Sequence, residues 1–353
     1  MSDQYALPAA MQRWLEKSDR QLITAIDSHT GGNPTRIVMS GIELPAEIQG
    51  VDAARAWLRD HADHWRRRLV HEPRGGGLTC AVLPIATQED NCDIGAVLLE
   101  PGSYPPMCGH CMIGFASVIV ELNWLPNLQP QDDGSLAFRI RTPAGAIGIT
   151  AHCDNGELES VTLTNVESFV VRKDHHLIDG KTVAVELLYG GDYYISVDAS
   201  ALGLSLDRDN ATEIVRMARA LRASYTQHGV RDPLDDALLD VYQVLFYHYD
   251  VEIPDQAKIV VIAPPGVVDR SPCGTGSSAF FAKLVTEGLL AEQQTLTTTS
   301  IIGSTFSVAT HQLRRTPQRL YITPALTGRA RINGFLHIAA DAEDELADGF
   351  APL

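Results

Sequence analysis

Two cysteines in this sequence open matching turns. One segment runs Pro106-Met107-Cys108-Gly109-His110-Cys111, the other Ser271-Pro272-Cys273-Gly274-Thr275-Gly276. Each has a proline just upstream, then Cys-Gly. Further on, each has a small residue followed by phenylalanine at the same offset, Gly114-Phe115 and Ala279-Phe280. Each follows a strand-like run and opens a helix-like run. A helix start leaves backbone N–H groups without intrahelical acceptors and carries partial positive charge. Both effects favour a thiolate and make such a cysteine reactive, and the same N–H groups bind a carboxylate. If both turns face one cleft, a substrate carboxylate sits on their N–H groups and its α-carbon lies between two sulfurs. One thiolate removes the α-proton, and the opposite thiol returns a proton to the other face. The centre inverts with no cofactor, and the paired helix starts stabilise the charge that develops on the carboxylate. Glycines at 109, 274 and 276 let a ligand come close to the backbone.

Asp269 precedes the second turn and His110 lies inside the first, so either can hold a substrate amine. Each also has a plain structural reading, a turn carboxylate for Asp269 and a satisfied buried histidine for His110. The plain reading of Cys108 and Cys273, a pair of small buried apolar residues, is the less favoured one. Cys108-Gly109-His110-Cys111 has the C-x-x-C spacing of thioredoxin-like oxidoreductases. Against that, Met107 stands where tryptophan is usual, the chain is far longer than such a domain, and the second cysteine turn would have no purpose. A zinc deaminase needs an upstream His-x-Glu or Cys-x-Glu, and neither His71-Glu72 nor Cys92-Asp93-Ile94 supplies it. A structural zinc site from Cys80, Cys92, Cys108 and Cys111 needs a second close pair, and the spacing of 80 and 92 is too wide. No metal is therefore expected. A binding protein could use the same anion-holding turns without needing either thiol.

The elements that must position these residues follow from patterning. Ala9–Lys17 reads as a short surface helix. Leu22–Ile26 and Thr35–Met39 read as strands around the turn-rich Ser28–Pro34, and Val51–Arg67 as one helix. Thr79–Leu83 and Gly95–Leu99 read as buried strands, Leu136–Arg141 and Ala146–Ala151 as a hairpin. A second set includes strands at Tyr193–Val197, Val241–Tyr247 and Lys258–Ile262. It also includes a helix at Ala211–His228, with Asn210 as cap, Glu213 as capping-box acid and Gly229 as stop. A helix at Cys273–Leu290 and strands at Ser300–Ile302, Phe306–Thr310, Arg319–Thr323 and Ala330–Ile338 complete it. Strands outnumber helices and are mostly joined by turns, which predicts an α+β fold.

The chain has 353 residues, 45% hydrophobic and 20% charged, which predicts a folded protein of two domains. A formal charge of -16 argues against nucleic-acid binding. Arg66-Arg67-Arg68 reads as a solvated helix terminus. No signal peptide or membrane span is visible, so a cytoplasmic location is expected, and six cysteines are too sparse for a disulfide scaffold.

The two cysteine segments, Met107-Cys108-Gly109-His110 and Asp269-Arg270-Ser271-Pro272-Cys273-Gly274-Thr275-Gly276, resemble the two signature motifs of the proline racemase family. That family includes proline racemases, 4-hydroxyproline 2-epimerases and trans-3-hydroxyproline dehydratases. Asp27-Ser28-His29-Thr30-Gly31-Gly32, Glu72-Pro73-Arg74-Gly75, Tyr189-Gly190-Gly191 and Ser300-Ile301-Ile302-Gly303-Ser304 resemble further family segments, so the likeness spans about residues 21–340. The resemblance implies two pseudo-symmetric α/β domains of the diaminopimelate epimerase-like type with the active site in the cleft between them. The first would be discontinuous, 21–165 plus 325–353, and the second would be 166–324. It implies Cys108 and Cys273 as the two bases. Gly109, His110, Gly274 and Thr275 would hold the substrate carboxylate, and Asp269 with His110 the ring nitrogen. No cofactor is implied, and homodimers are common. Retention of Cys273 favours epimerisation over dehydration, with 4-hydroxyproline the first substrate and proline the second. The sequence departs from the pattern at Cys111-Met112, where Gly-Thr is frequent, and at Gly76, where histidine is frequent.

Overall fold

The computed structural model describes residues 9–16, 20–178, 180–227, 229–341 and 343–351. Helix α1 (Ala9–Leu15) precedes the hairpin β1 (Arg20–Thr30) and β2 (Asn33–Ser40). Helices α2 (Val51–His61) and α3 (His64–Val70) lead to β3 (Cys80–Ile85), β4 (Ile94–Leu99) and α4 (Gly109–Glu121). Then come β5 (Leu136–Thr142), β6 (Gly145–Asp154) and β7 (Glu157–Thr164). A second run follows: β8 (Phe169–Ile178), β9 (Lys181–Tyr189), β10 (Tyr193–Asp198), α5 (Ala199–Leu202) and α6 (Ala211–Thr226). The short pair β11 (Val230–Arg231) and β12 (Leu238–Leu239) leads to β13 (Gln243–Tyr249), β14 (Gln256–Ala263), β15 (Val267–Val268) and α7 (Gly274–Thr286). The run ends with β16 (Leu296–Thr299), β17 (Thr305–Arg315) and β18 (Leu320–Gly328), after which comes β19 (Ala330–Asp341). The α+β expectation holds.

The strand pairings repeat. β1 and β2 are antiparallel, β2 and β3 parallel across α2 and α3, β3 and β4 antiparallel, β4 and β5 parallel across α4, and β5, β6 and β7 antiparallel in turn. The same senses recur through β9, β10, β13, β14, β16, β17 and β18, with α5 and α6 in the first parallel crossover and α7 in the second. β19 flanks β1 as β8 flanks β9. β7 and β18, the last strands of the two runs, pair with each other.

This repeat sets the environment of α4 and α7. Both are rich in small and apolar residues and are enclosed on all sides, with the polar Ser277, Ser278 and Lys283 of α7 buried as well. Gly109 to Ile119 and Gly274 to Val285 are buried without interruption. One apolar core surrounds both helices, while α6 covers a second core and α2 with α3 a third. Among the described residues no helix is long and apolar enough to cross a membrane.

Several elements differ from expectation. Val51–Arg67 is two helices that break at Ala62, whose φ of -140° leaves the helical range; Asp63 just beyond it accepts from Arg66 (2.7 Å) and from the Tyr104 hydroxyl (2.9 Å) at the start of the second helix. Ser300–Ile302 is a turn, held by the Ser300 and Ser304 hydroxyls, 2.8 Å apart. The helix predicted over Ala211–His228 ends at Thr226, and His228 lies outside the described residues, as does Lys17 of the first predicted helix. Asn210 makes no side-chain cap. Asp207 instead accepts from its N–H at 3.1 Å, and Glu213 pairs with Arg216 at 2.8 Å. Arg66-Arg67-Arg68 is not a solvated terminus. Arg66 donates to the Glu100 carbonyl at 3.0 Å and Arg68 pairs with Asp348 at 2.7 Å, so the cluster ties α3 to the loop after β4 and to the chain's end.

Candidate active site

The N-termini of α4 and α7 meet head to head. A methyl group added at Gly109 would stand 3.0 Å from the Gly274 Cα, and one added at Gly274 would stand 3.1 Å from the Gly109 Cα. The glycine after each cysteine therefore serves helix-to-helix approach, which only a residue without Cβ allows. Leu326 of β18 fills the remaining space, 3.4 Å from the position of a Gly109 methyl. With both helices enclosed, the two cysteines are fixed relative to each other by packing.

The seven residues assigned to catalysis or substrate binding line one cavity of about 310 Å³: Cys108, Gly109 and His110 from one turn, Asp269, Cys273, Gly274 and Thr275 from the other; Gly276 lies outside its lining. The first-turn N–H groups of both helices point where intrahelical acceptors are lacking. Cys108 caps α4 in an extended conformation. Cys273 caps α7 at φ +59°, a left-handed conformation that costs a non-glycine residue about 1–3 kcal/mol and persists only where the surroundings enforce it. Here the Ser271 hydroxyl accepts from the Cys273 N–H at 3.1 Å, and the Cys273 Sγ accepts from the Gly276 N–H at 3.4 Å.

The two sulfurs sit in opposite electrostatic settings. Hydrogen bonds from the Cys111 and Cys80 thiols, together with the His110 imidazole, hold Cys108 well below the ordinary thiol range despite its burial. The His110 Nδ1 is 3.2 Å from the Cys108 Sγ. Burial opposes a charged imidazole, but the Cys108 and Cys111 sulfurs outweigh it and raise His110 well above its usual value. Cys108 and His110 thus form a thiolate–imidazolium pair. Burial and the nearby Asp269 carboxylate push Cys273 up to about 12, so it is a thiol. The Tyr194 hydroxyl lies 3.4 Å from the Cys273 Sγ and 2.5 Å from the Thr275 Oγ1. Asp269 accepts three hydrogen bonds, all on Oδ1: from Asn33 Nδ2 (2.6 Å), the Ser271 N–H (2.8 Å) and the Ser271 hydroxyl (2.9 Å). Its Oδ2 has no partner among the described residues. Asn33 also accepts from the Arg270 N–H at 2.9 Å, so the start of β2 holds the loop that carries Asp269.

Sequence reasoning missed several residues of this wall. Glu100 directly follows β4 and faces the cavity; burial and the Cys108 thiolate push its carboxyl up to about 8. Asp192 is pushed up to about 6 by burial, against hydrogen bonds from Tyr242 and Gln243. Tyr194, Tyr242 and Cys80 also line the space. Glu100 left a signal, a lone acid directly after the apolar run Ile94–Leu99, and Asp192 follows Gly190-Gly191. Gly190 explains itself, because a methyl there would strike the Thr275 carbonyl at 2.2 Å. Two other segments quoted for their family likeness are structural. Arg36 pairs doubly with Asp27 at 2.9 Å across β1 and β2, and Ser304 donates to the Gly31 carbonyl at 2.8 Å, clamping the hairpin turn.

The model of the proline racemase family matches residues 25–351. A proline racemase from Acetoanaerobium sticklandii is 32% identical over 334 residues, 93% of this chain and 98% of the relative. A 4-hydroxyproline 2-epimerase from Streptosporangium roseum is 32% identical over 339 residues, 94% of this chain and 98% of the relative. A solved hydroxyproline epimerase from Agrobacterium vitis, with bound trans-4-hydroxy-L-proline, superposes with a TM-score of 0.81 at 29% identity, covering 94% of this chain and 95% of that one. The fold is thus of the diaminopimelate epimerase-like type, and this chain belongs to the proline racemase family, whose racemases and epimerases are isomerases.

Proposed function

We propose that this chain inverts the α-carbon of a proline-type imino acid by proton transfer between Cys108 and Cys273, with 4-hydroxyproline the first candidate substrate and proline the second. The carrying observation is that both sulfurs line one cavity, Cys108 at 3.2 Å from the His110 ring and Cys273 at 3.4 Å from the Tyr194 hydroxyl, in surroundings that lower the first thiol and raise the second. A base and an acid on separate walls are what a one-step inversion consumes.

In this mechanism the substrate carboxylate lies on the N–H groups at the starts of α4 and α7, including those of Gly109, His110, Gly274 and Thr275. The free Oδ2 of Asp269 accepts from the ring nitrogen. The Cys108 thiolate takes the α-proton while the Cys273 thiol gives its own to the opposite face. Negative charge moving onto the carboxylate meets two helix N-termini in a buried setting, where each such donor is worth roughly 10²–10³ in rate. The product leaves Cys108 protonated and Cys273 ionised, the state that accepts the other enantiomer. The two strand runs act as the two domains, 21–165 plus 325–353 and 166–324, with the substrate between them.

The test is incubation in D₂O with L-proline, trans-4-hydroxy-L-proline and trans-3-hydroxy-L-proline, followed by NMR. Deuterium at the α-carbon of the inverted product supports the proposal. Water loss from the 3-hydroxy compound without inversion of the others would replace it by a dehydratase, and absence of exchange in all three would refute it.

A further inference from the structure

Behind the Cys108 sulfur stand two thiols that proton transfer does not use. Cys111 lies in the first turn of α4, fully buried, and Cys80 begins β3, also buried. Their Sγ atoms and a ring nitrogen of His110 all lie within 4.8 Å of one another. The His110 Nε2 is 3.5 Å from the Cys111 Sγ and 3.8 Å from the Cys108 Sγ. A tetrahedral zinc-like ion bound by sulfur and imidazole needs its donors about 3.5–3.8 Å apart. Small side-chain rotations therefore complete the geometry. Apart from their hydrogen bonds toward Cys108 and the His110 ring, the spare sulfurs make only weak contacts: Cys111 has Thr35 Oγ1 at 3.9 Å, and Cys80 has the Leu78 carbonyl at 3.7 Å and Glu100 Oε1 at 3.8 Å. Cys80 and His110 both line the cavity, which gives a cation a way in.

We propose that Cys80, His110 and Cys111 form a binding site for a thiophilic divalent cation of the zinc type, next to the Cys108 thiolate, and that an ion there switches the pocket off. The ion displaces thiol protons on binding. It also removes the His110 imidazole and the Cys108 thiolate from substrate chemistry. Only the effect on turnover rests on the function proposed above. Binding itself does not.

Reduced, chelator-stripped protein is titrated with cadmium chloride while the ultraviolet thiolate-to-cadmium charge-transfer band is followed. The expected result is one equivalent bound, competed by zinc. Affinity should fall about tenfold or more in Cys80→Ser and in Cys111→Ser and hold in Cys92→Ser, whose sulfur lies near the Asp90 carbonyl at 4.0 Å. As a check that does not depend on variant folding, bound cadmium should slow alkylation of Cys80 and Cys108, which line the cavity, in the unaltered protein and leave the rate at Cys92 unchanged. An undiminished band in both serine variants, or alkylation of Cys80 unaffected by cadmium, overturns the site. If cadmium fails to bind while α-proton exchange proceeds, this inference alone falls. If it binds while no imino acid exchanges, the site stands and the function proposal falls.

Discussion

At the scale of single residues the pocket is asymmetric, and the asymmetry is measurable. A cysteine held well below the thiol range is a thiolate at neutral pH, and one pushed to about 12 is not. Iodoacetamide at pH 7 should therefore label Cys108 at least about tenfold faster than Cys273, with peptide mapping as the readout. Raising the pH should narrow the gap as Cys273 begins to ionise. Equal or reversed rates would contradict the assignment of base and acid. Replacing either cysteine by serine should lower inversion by roughly 10³-fold or more. Cys273→Ser should still wash out the α-proton of the enantiomer that Cys108 faces, seen as deuterium uptake without inversion. Glu100 offers a pH test of a different kind. Its folded value near 8 stands above the ordinary 4.5, so the folded protein holds a proton that the unfolded chain releases earlier. That contribution to stability is full below about pH 4.5 and is lost as pH rises through 8. In Glu100→Gln the fall in unfolding free energy between pH 5 and pH 8.5 should shrink by on the order of 1–3 kcal/mol in denaturant titrations.

At the scale of elements, α4 and α7 decide the site because their first turns touch. Gly274→Ala places a methyl 2.7 Å from Leu326 Cδ2 and 3.1 Å from the Gly109 Cα. The leucine can rotate away, but the opposing backbone cannot. Stability should fall by about 1–3 kcal/mol, while activity drops by roughly 10²-fold because the two sulfurs move apart. A variant of unchanged activity would mean that the helix junction does not set the sulfur positions. Other elements show why pattern reading succeeded or failed. Both cysteine helices are legible because their proline-flanked Cys-Gly starts and the small-residue-then-phenylalanine pair that follows are local. β7, β8 and β9 were not assigned, because Glu157, Glu159, Arg172, Lys173, Asp174, His175 and His176 interrupt the apolar signal. Their alternate residues Val161, Leu163, Val171, Val183, Val185 and Leu187 still face the core. The break in Val51–Arg67 was hidden because buried Val51, Ala54, Leu58, Ala62, Trp65 and Leu69 keep helical spacing across it.

At the scale of the whole molecule, a ligand seated on both helix starts ties together the two strand runs, which otherwise share the β7–β18 pairing and the common core around α4 and α7. A planar pyrrole-2-carboxylate at a hundred times its dissociation constant should raise stability by about 2.7 kcal/mol, or roughly 4 °C in midpoint for a chain of this size. The same ligand should slow alkylation of both Cys108 and Cys273. Protection of one cysteine without the other would mean that the two turns do not share a ligand.

The sequence by itself determined the α+β class and the two cysteine-bearing helix starts with the residues around them, since each of those signals lies within a few consecutive positions. Tertiary structure alone decided what lies across the pocket. Glu100 faces Cys108 from just after β4, Tyr194 reaches Cys273 from β10, and Cys80 joins His110 and Cys111 from β3. These partners come from other strands, placed by sheet register and helix burial. Their ionisation follows from mutual distance and exclusion of water, which no spacing along the chain encodes.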